Sequence, residues 1–162
     1  MNHPDVRETI GSRTPKNQQQ EREWLDGLAD RDGVVLFVAS DGEPVGSAGY
    51  ADVNPDGGTA EVGYAVHPDH WGHGYATEAV TLLTRYAFEE RRLSKLHAGV
   101  YAHNSVSMRV LEKAGWNEEA VLEREAFVGG ERVDLHRFTA HAETWASGEI
   151  EGGDREERGR TD

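Results

Sequence analysis

Two hydrophobic periodicities alternate along the chain and predict where its strands and helices lie. Apolar runs rich in β-branched and aromatic residues are typical of strands, and apolar positions three and four apart are typical of helices. The predicted strands cover residues 34–40, 44–52, 59–66, 95–101, 116–128 and 131–141. The predicted helices cover residues 17–33, 76–88 and 105–115.

Short polar segments rich in glycine separate these elements and indicate how the strands pair. Turn signals at 41–43, 54–58 and 129–130 join neighbouring strands into antiparallel hairpins. The strand at 59–66, the helix after it and the strand at 95–101 form a crossover, which makes these two strands parallel. The pattern therefore predicts an α+β fold with flanking helices on a mixed, mostly antiparallel six-stranded sheet. We further expect its two parallel strands to be splayed.

Composition predicts one domain at residues 1–145 and an acidic, disordered tail at 146–162, where charged residues and glycine predominate. The sequence contains no Cys, no signal peptide pattern and no apolar run long enough to cross a membrane. These features predict a soluble, cytoplasmic protein without a disulfide framework or a thiolate nucleophile.

The charge balance is strongly acidic. The chain has 30 Asp and Glu against 17 Lys and Arg, for a net charge of −13, and only three of the basic residues are Lys. Binding of nucleic acid through a basic surface is therefore not expected. Two explanations stay open: the acidic surface of a halophilic proteome, or an electrostatic field that attracts a cationic substrate.

Gly72 and Gly74 stand immediately before the predicted helix at 76–88. A helix N-terminus carries unpaired N–H groups and a partial positive charge, and glycine lets an anion approach the backbone without a Cβ in the way. The segment 67–74 is therefore a candidate phosphate-binding loop, although a tight strand-to-helix turn would also require glycine.

Three histidines, His67, His70 and His73, recur at every third position of this loop, beside Asp69. They span a proline and two glycines rather than one face of a helix, and no fourth ligand is evident. The pattern does not predict a metal site.

Two blocks of the sequence resemble the GNAT acyltransferase superfamily and, within it, the RimJ/RimL-like N-acetyltransferase branch. The first block is HWGHGYATEAV at 70–80, and the second is NSVSMRVLEKAGW at 104–116. In the first block Trp71 replaces the superfamily's Gln or Arg, and His73 replaces the usual Lys or Arg. The resemblance extends over residues 5–142.

The resemblance implies acetyl-CoA as co-substrate and assigns a set of site residues. The cofactor-binding residues would be Val66, Trp71, Gly72, His73, Gly74, Tyr75, Ala76 and Asn104. Glu61 would assist deprotonation of an amine, and Ser107 would hydrogen-bond the leaving thiol. Simpler roles stay open, because Glu61 could be a solvent-facing strand residue, Ser107 a surface serine of a helix and Asn104 a helix cap.

The predicted function is an acetyl-CoA-dependent N-acetyltransferase that acts by direct transfer in a ternary complex. Its acceptor would be a primary amine of a peptide or a small molecule, and the expected assembly is a monomer or homodimer with no nucleic-acid or membrane partner. The family's first strand has no expected counterpart in this sequence. A non-catalytic acyl-CoA-binding module therefore stays an alternative, as does a binder of nucleotide phosphates.

Overall fold

A computed structural model describes residues 33–145, which form six strands, two α-helices and a helical turn at 142–145. The strands are β1 (Val34–Ser40), β2 (Glu43–Asn54), β3 (Thr59–Val66), β4 (Lys95–Tyr101), β5 (Asn117–Val128) and β6 (Glu131–His141). The helices are α1 (Tyr75–Glu89) and α2 (Ser105–Lys113), and a 3-10 turn at Pro68–His70 precedes α1. All six predicted strands and the last two predicted helices are confirmed. The predicted helix at 17–33 and the predicted tail at 146–162 lie outside the described residues, apart from the last residue of that helix segment.

The strands form one sheet in the order β1-β2-β3-β4-β6-β5. Only β3 and β4 are parallel, and their pairing covers three positions, from Thr59 opposite Lys95 to Glu61 opposite His97. Beyond Glu61 the two strands separate. The mixed, mostly antiparallel sheet and its splayed parallel pair therefore agree with the prediction.

The core lies between one face of the sheet and α1. The helix buries four of the six apolar positions of its periodicity together with one threonine, whereas Ala76 and Tyr86 are partly buried. The buried residues are Ala79, Val80, Leu83, Thr84 and Ala87. The Trp116 indole N–H donates to the buried Thr84 hydroxyl at 3.2 Å, so the one polar side chain that α1 buries is hydrogen-bonded. Along β3 the buried Ala60 and Val62 alternate with the exposed Glu61 and Gly63, as expected for a half-buried strand.

The ends of the helices follow from local chemistry. The Asn104 side chain accepts a hydrogen bond from the Ser107 N–H at 3.1 Å and so caps α2. The helix ends at Lys113, two residues before the predicted end, because Gly115 takes the left-handed conformation with φ of 86°. No helix within residues 33–145 is long and apolar enough to cross a membrane.

Candidate functional site

A cleft of about 620 Å³ opens where β3 and β4 separate. Its walls come from β3, the loop at 67–74, the first turn of α1, the end of β4 and one face of α2. Nine of the ten predicted site residues line it: Glu61, Val66, Trp71, Gly72, Gly74, Tyr75, Ala76, Asn104 and Ser107. The tenth, His73, is exposed and is not among the lining residues.

The glycine loop presents bare backbone to this cleft. Gly72 and Gly74 both have φ of 79°, and a Cβ built on either would find no heavy atom within 4 Å. Gly74 is the N-cap of α1 and provides no side-chain hydrogen bond. The first-turn N–H groups of α1 therefore receive no acceptor from their cap, which leaves them available to an anion in the open space beside the glycines.

Side chains of the loop fix its shape. The Trp71 indole N–H donates to the Val66 carbonyl at 2.7 Å, and the Tyr75 hydroxyl lies 2.8 Å from the Ser40 hydroxyl. His73 Nδ1 lies 3.1 Å from the His70 carbonyl oxygen. Because a carbonyl oxygen only accepts, Nδ1 of His73 carries a proton, and Nε2 carries a second one only when the ring is cationic.

The backbone of β3 directs two N–H groups toward the cleft. The His67 N–H donates to the Val45 carbonyl of β2 at 2.8 Å. Since alternate residues of a strand direct their backbone groups to opposite sides, Ala65 also faces β2, whereas Val66 and Tyr64 face the side from which β4 has withdrawn. The separation of β3 from β4 therefore leaves N–H donors at the wall of the cleft.

The hydroxyl groups of Tyr64 on β3 and Ser107 on α2 contact each other at the lining of the cleft. The Tyr64 hydroxyl donates to the Ser107 carbonyl oxygen at 3.0 Å and also shares a short hydrogen bond with Ser107 Oγ. Burial raises the pKa of Tyr64 to about 12, and the hydrogen bond with Ser107 lowers it less than burial raises it. Strand alternation places Tyr64 only on the same face as Val62 and Val66, because nothing in the local pattern links it to a serine in a distant helix.

Glu61 occupies the last position of β3 that pairs with β4, where it lies opposite His97. Glu61 is exposed and lines the cleft, and His97 is half-buried. Burial lowers the pKa of His97, which outweighs the opposing effect of the Glu61 carboxylate. The imidazole is therefore neutral at neutral pH. Sequence reasoning did not single out His97, since only the parallel register brings it beside Glu61.

Two cations also line the cleft and were missed by sequence reasoning. Arg109 and Lys113 lie one turn apart on α2, at the spacing that places side chains on the same helix face. Helical spacing from Ser107 would not have suggested them, because residues two and six positions further on lie on a different side of the helix. The lining thus combines one carboxylate, Glu61, with two cations in a strongly acidic chain.

The part of the chain that the structure describes contains no group of three His, Cys, Asp or Glu side chains placed to hold a metal ion. The loop histidines have local partners instead. His67 Nδ1 accepts from the Asp69 N–H at 3.2 Å, and His73 bonds the His70 carbonyl.

Residues 1–117 match the acetyltransferase (GNAT) domain family. The chain therefore belongs to the GNAT family, which confirms the family that its two sequence blocks indicate. It is 30% identical over 115 residues to the uncharacterized N-acetyltransferase p20 of Bacillus licheniformis, covering 71% of this chain and 64% of that protein. The chain thus spans less than two thirds of the length of p20.

A second relative and a solved structure extend the comparison. The chain is 34% identical over 144 residues to the uncharacterized protein YkkB of Bacillus subtilis strain 168, covering 78% of this chain and 83% of YkkB. The crystal structure of spermidine N-acetyltransferase from Vibrio cholerae in complex with CoA and spermine superposes with a TM-score of 0.82 at 19% identity, covering 90% of this chain and 87% of that one. At this identity the likeness establishes the fold alone.

Proposed function

We propose that the protein transfers an acetyl group from acetyl-CoA to a primary amine by direct attack within a ternary complex. The observation that carries the proposal is the cleft at the point where β3 and β4 separate. There a bare glycine loop, backbone N–H donors and an exposed carboxylate face one space of about 620 Å³. Family membership supports the same chemistry.

The residues present fit the cofactor. The pyrophosphate of acetyl-CoA would lie against Gly72 and Gly74, where an added Cβ would meet no protein atom. Arg109 and Lys113 would add positive charge for phosphate groups. Asn104 uses its carbonyl oxygen to cap α2, so its NH₂ group remains to donate to a pantetheine carbonyl.

The N–H of Val66 would polarise the thioester carbonyl. A donor fixed where negative charge develops stabilises the transition state more than the ground state. Trp71 supports this geometry, since its indole holds the carbonyl of the same residue at 2.7 Å. Trp71, at the position of the family's usual Gln or Arg, therefore links the loop to the end of β3 by a hydrogen bond in addition to the continuous main chain.

Glu61 would accept the proton that an ammonium group must lose before it attacks the thioester, directly or through a water molecule. Its exposure at the open side of the cleft gives an incoming amine access to the carboxylate. The neutral His97 beside it adds no positive charge that would compete for the carboxylate. Direct transfer requires no acyl-enzyme, which is consistent with a sequence that lacks Cys.

A small-molecule amine is the acceptor that we favour. The acidic surface and Glu61 would attract a cationic amine, and the V. cholerae enzyme with the same fold has spermine bound. A peptide α-amine, the acceptor that the RimJ/RimL-like branch would use, is the second candidate.

An amine panel tests the proposal. The protein is mixed with acetyl-CoA and with polyamines, amino sugars and short peptides, while released CoA is measured with a thiol reagent and the acetylated amine by mass spectrometry. We expect CoA release that depends on an amine and matches N-acetyl product in amount. Acetyl-CoA binding without release in any arm would contradict the proposal and favour an acyl-CoA-binding module. Stabilisation by ATP in preference to CoA would favour the nucleotide-phosphate alternative.

A further inference from the structure

Two acceptors of Ser107, its carbonyl oxygen and its Oγ, compete for the one proton of the Tyr64 hydroxyl. The phenol has a single O–H, yet it lies within hydrogen-bond distance of both the carbonyl oxygen and Oγ of Ser107. If the phenol donates to the carbonyl, the Ser107 hydroxyl must donate back to the phenol oxygen. If the phenol donates to Oγ, the Ser107 proton is free to point elsewhere.

Both arrangements use the same heavy-atom positions. The Ser107 carbonyl lies inside α2, where a helical N–H is its ordinary partner, so it does not depend on the phenol. Ser107 lines the cleft, and its main chain is held by the Asn104 side chain at 3.1 Å. Rotation of two O–H bonds is therefore enough to turn the serine into a donor toward the cleft.

We infer that Tyr64 is a positioning residue that holds the Ser107 hydroxyl as a hydrogen-bond donor to the CoA thiolate, without transferring its own proton. The inference rests on the proposed function. In the reaction the amine nitrogen forms a bond to the acetyl carbon, the C–S bond breaks, and its electron pair stays on sulfur. The ammonium group loses one proton through Glu61 to water before the attack, and the nitrogen loses a second proton by the same route as the C–S bond breaks. The thiolate takes a proton from solvent after release.

Burial is the reason that the phenol donates without ionising. The pKa of Tyr64, raised to about 12, lies well above the value of about 8.5 typical of a thiol. Proton transfer from this phenol to a thiolate is therefore unfavourable. The hydrogen bond that the neutral Ser107 hydroxyl would donate to the thiolate is nevertheless strong, because the thiolate would be desolvated in the cleft.

The test compares CoA with desulfo-CoA, which carries hydrogen in place of the thiol. Both ligands share the phosphates and the pantetheine arm, so the ratio of their affinities isolates the sulfur. We expect wild-type protein to bind CoA more tightly relative to desulfo-CoA as the pH rises through about 8.5, where a free thiol ionises. Tyr64→Phe and Ser107→Ala should each remove most of this rise. Tyr86→Phe, which deletes a hydroxyl of α1 outside the cleft, should keep it.

Kinetics supply the second readout. Tyr64→Phe should lower kcat roughly 10-fold, because the Ser107 hydroxyl would no longer be held as a donor to the charged thiolate. The KM for acetyl-CoA should stay unchanged. The double variant with Ser107→Ala should be no slower than Ser107→Ala alone, because both changes remove one interaction.

Two results would overturn the inference. One is a Tyr64→Phe variant with the wild-type pH dependence of the affinity ratio, together with a lower melting temperature, which would make the pair a structural link only. The other is a wild-type kcat in the same variant. Failure of wild-type protein to turn over any amine would instead contradict the proposed function, and the affinity ratio would still report whether the Ser107 hydroxyl, held by Tyr64, contacts the thiol.

Discussion

Gly74→Ala separates phosphate binding from backbone strain. An alanine at φ of 79° enters the left-handed region, which costs an L-residue about 1–2 kcal/mol. For a chain of this size that cost lowers the melting temperature by roughly 2–8 °C. The added Cβ meets no protein atom within 4 Å, so strain is its only cost to the fold. In the complex, however, the same Cβ would occupy the space proposed for phosphate.

The expected loss of acetyl-CoA affinity follows from the displaced contacts. One hydrogen bond to a charged group contributes about 1.5–3 kcal/mol, so losing one weakens binding roughly 10- to 100-fold. Gly74→Val, with a larger and branched side chain, should abolish binding. Isothermal titration with acetyl-CoA measures the affinity, and differential scanning calorimetry measures the stability.

Gly130→Ala is the matched control. Gly130 has φ of 85° and open space around its Cβ position, but it lies in the β5–β6 turn and does not line the cleft. Both variants should lose similar stability, whereas only Gly74→Ala should lose affinity. Equal affinity in Gly74→Ala, Gly130→Ala and wild type would refute the reasoning and leave the glycine loop a purely structural turn.

Three further predictions concern charge. The pKa of His97 is lowered in the fold, so its contribution to stability is complete above about pH 6.5 and is lost as the pH falls. His97→Gln should therefore reduce the decrease of the melting temperature at acid pH. The same decrease in the variant and in wild type would contradict this. Arg109→Gln with Lys113→Gln should raise KM for acetyl-CoA roughly 10-fold or more with kcat unchanged, whereas Arg91→Gln, outside the cleft, should not. If the acidic surface is a halophilic adaptation, the melting temperature should rise between about 0.1 M and 2 M KCl, because salt screens the repulsion between carboxylates. A steady fall of the melting temperature would contradict that explanation. A constant melting temperature with a steeply higher KM for the amine would favour substrate attraction.

The sequence predicted the elements well because strands and helices reflect local periodicity. The strand at 59–66 was predicted with the bounds that the structure shows, and the crossover rule sufficed to predict its parallel partner. The residues proposed to bind the cofactor were also predictable as a group that lines one cleft, because a contiguous loop motif and a helix cap place them. His73 is the exception, since no local pattern shows that its ring lies outside the cleft lining.

The missed residues depend on tertiary register. Tyr64 meets Ser107 across a separation of 43 residues, and His97 meets Glu61 only through the parallel pairing. No periodicity encodes either contact. Arg109 and Lys113 share one face of α2 with each other but not with Ser107, so helical spacing from Ser107 would not have identified them as lining residues either.

Glu61→Gln tests the central claim most directly, because the amide keeps the size of the side chain and removes its basicity. With an amine that the panel identifies, kcat should fall about 100-fold or more, the usual scale for a general base. Acetyl-CoA affinity should stay at the wild-type value, since Glu61 lies outside the glycine loop that would hold the phosphates. Glu119→Gln, an exposed carboxylate of β5 bonded to Lys95, should turn over like wild type. Wild-type kcat for Glu61→Gln across the pH range would contradict the account and remove this carboxylate from the mechanism.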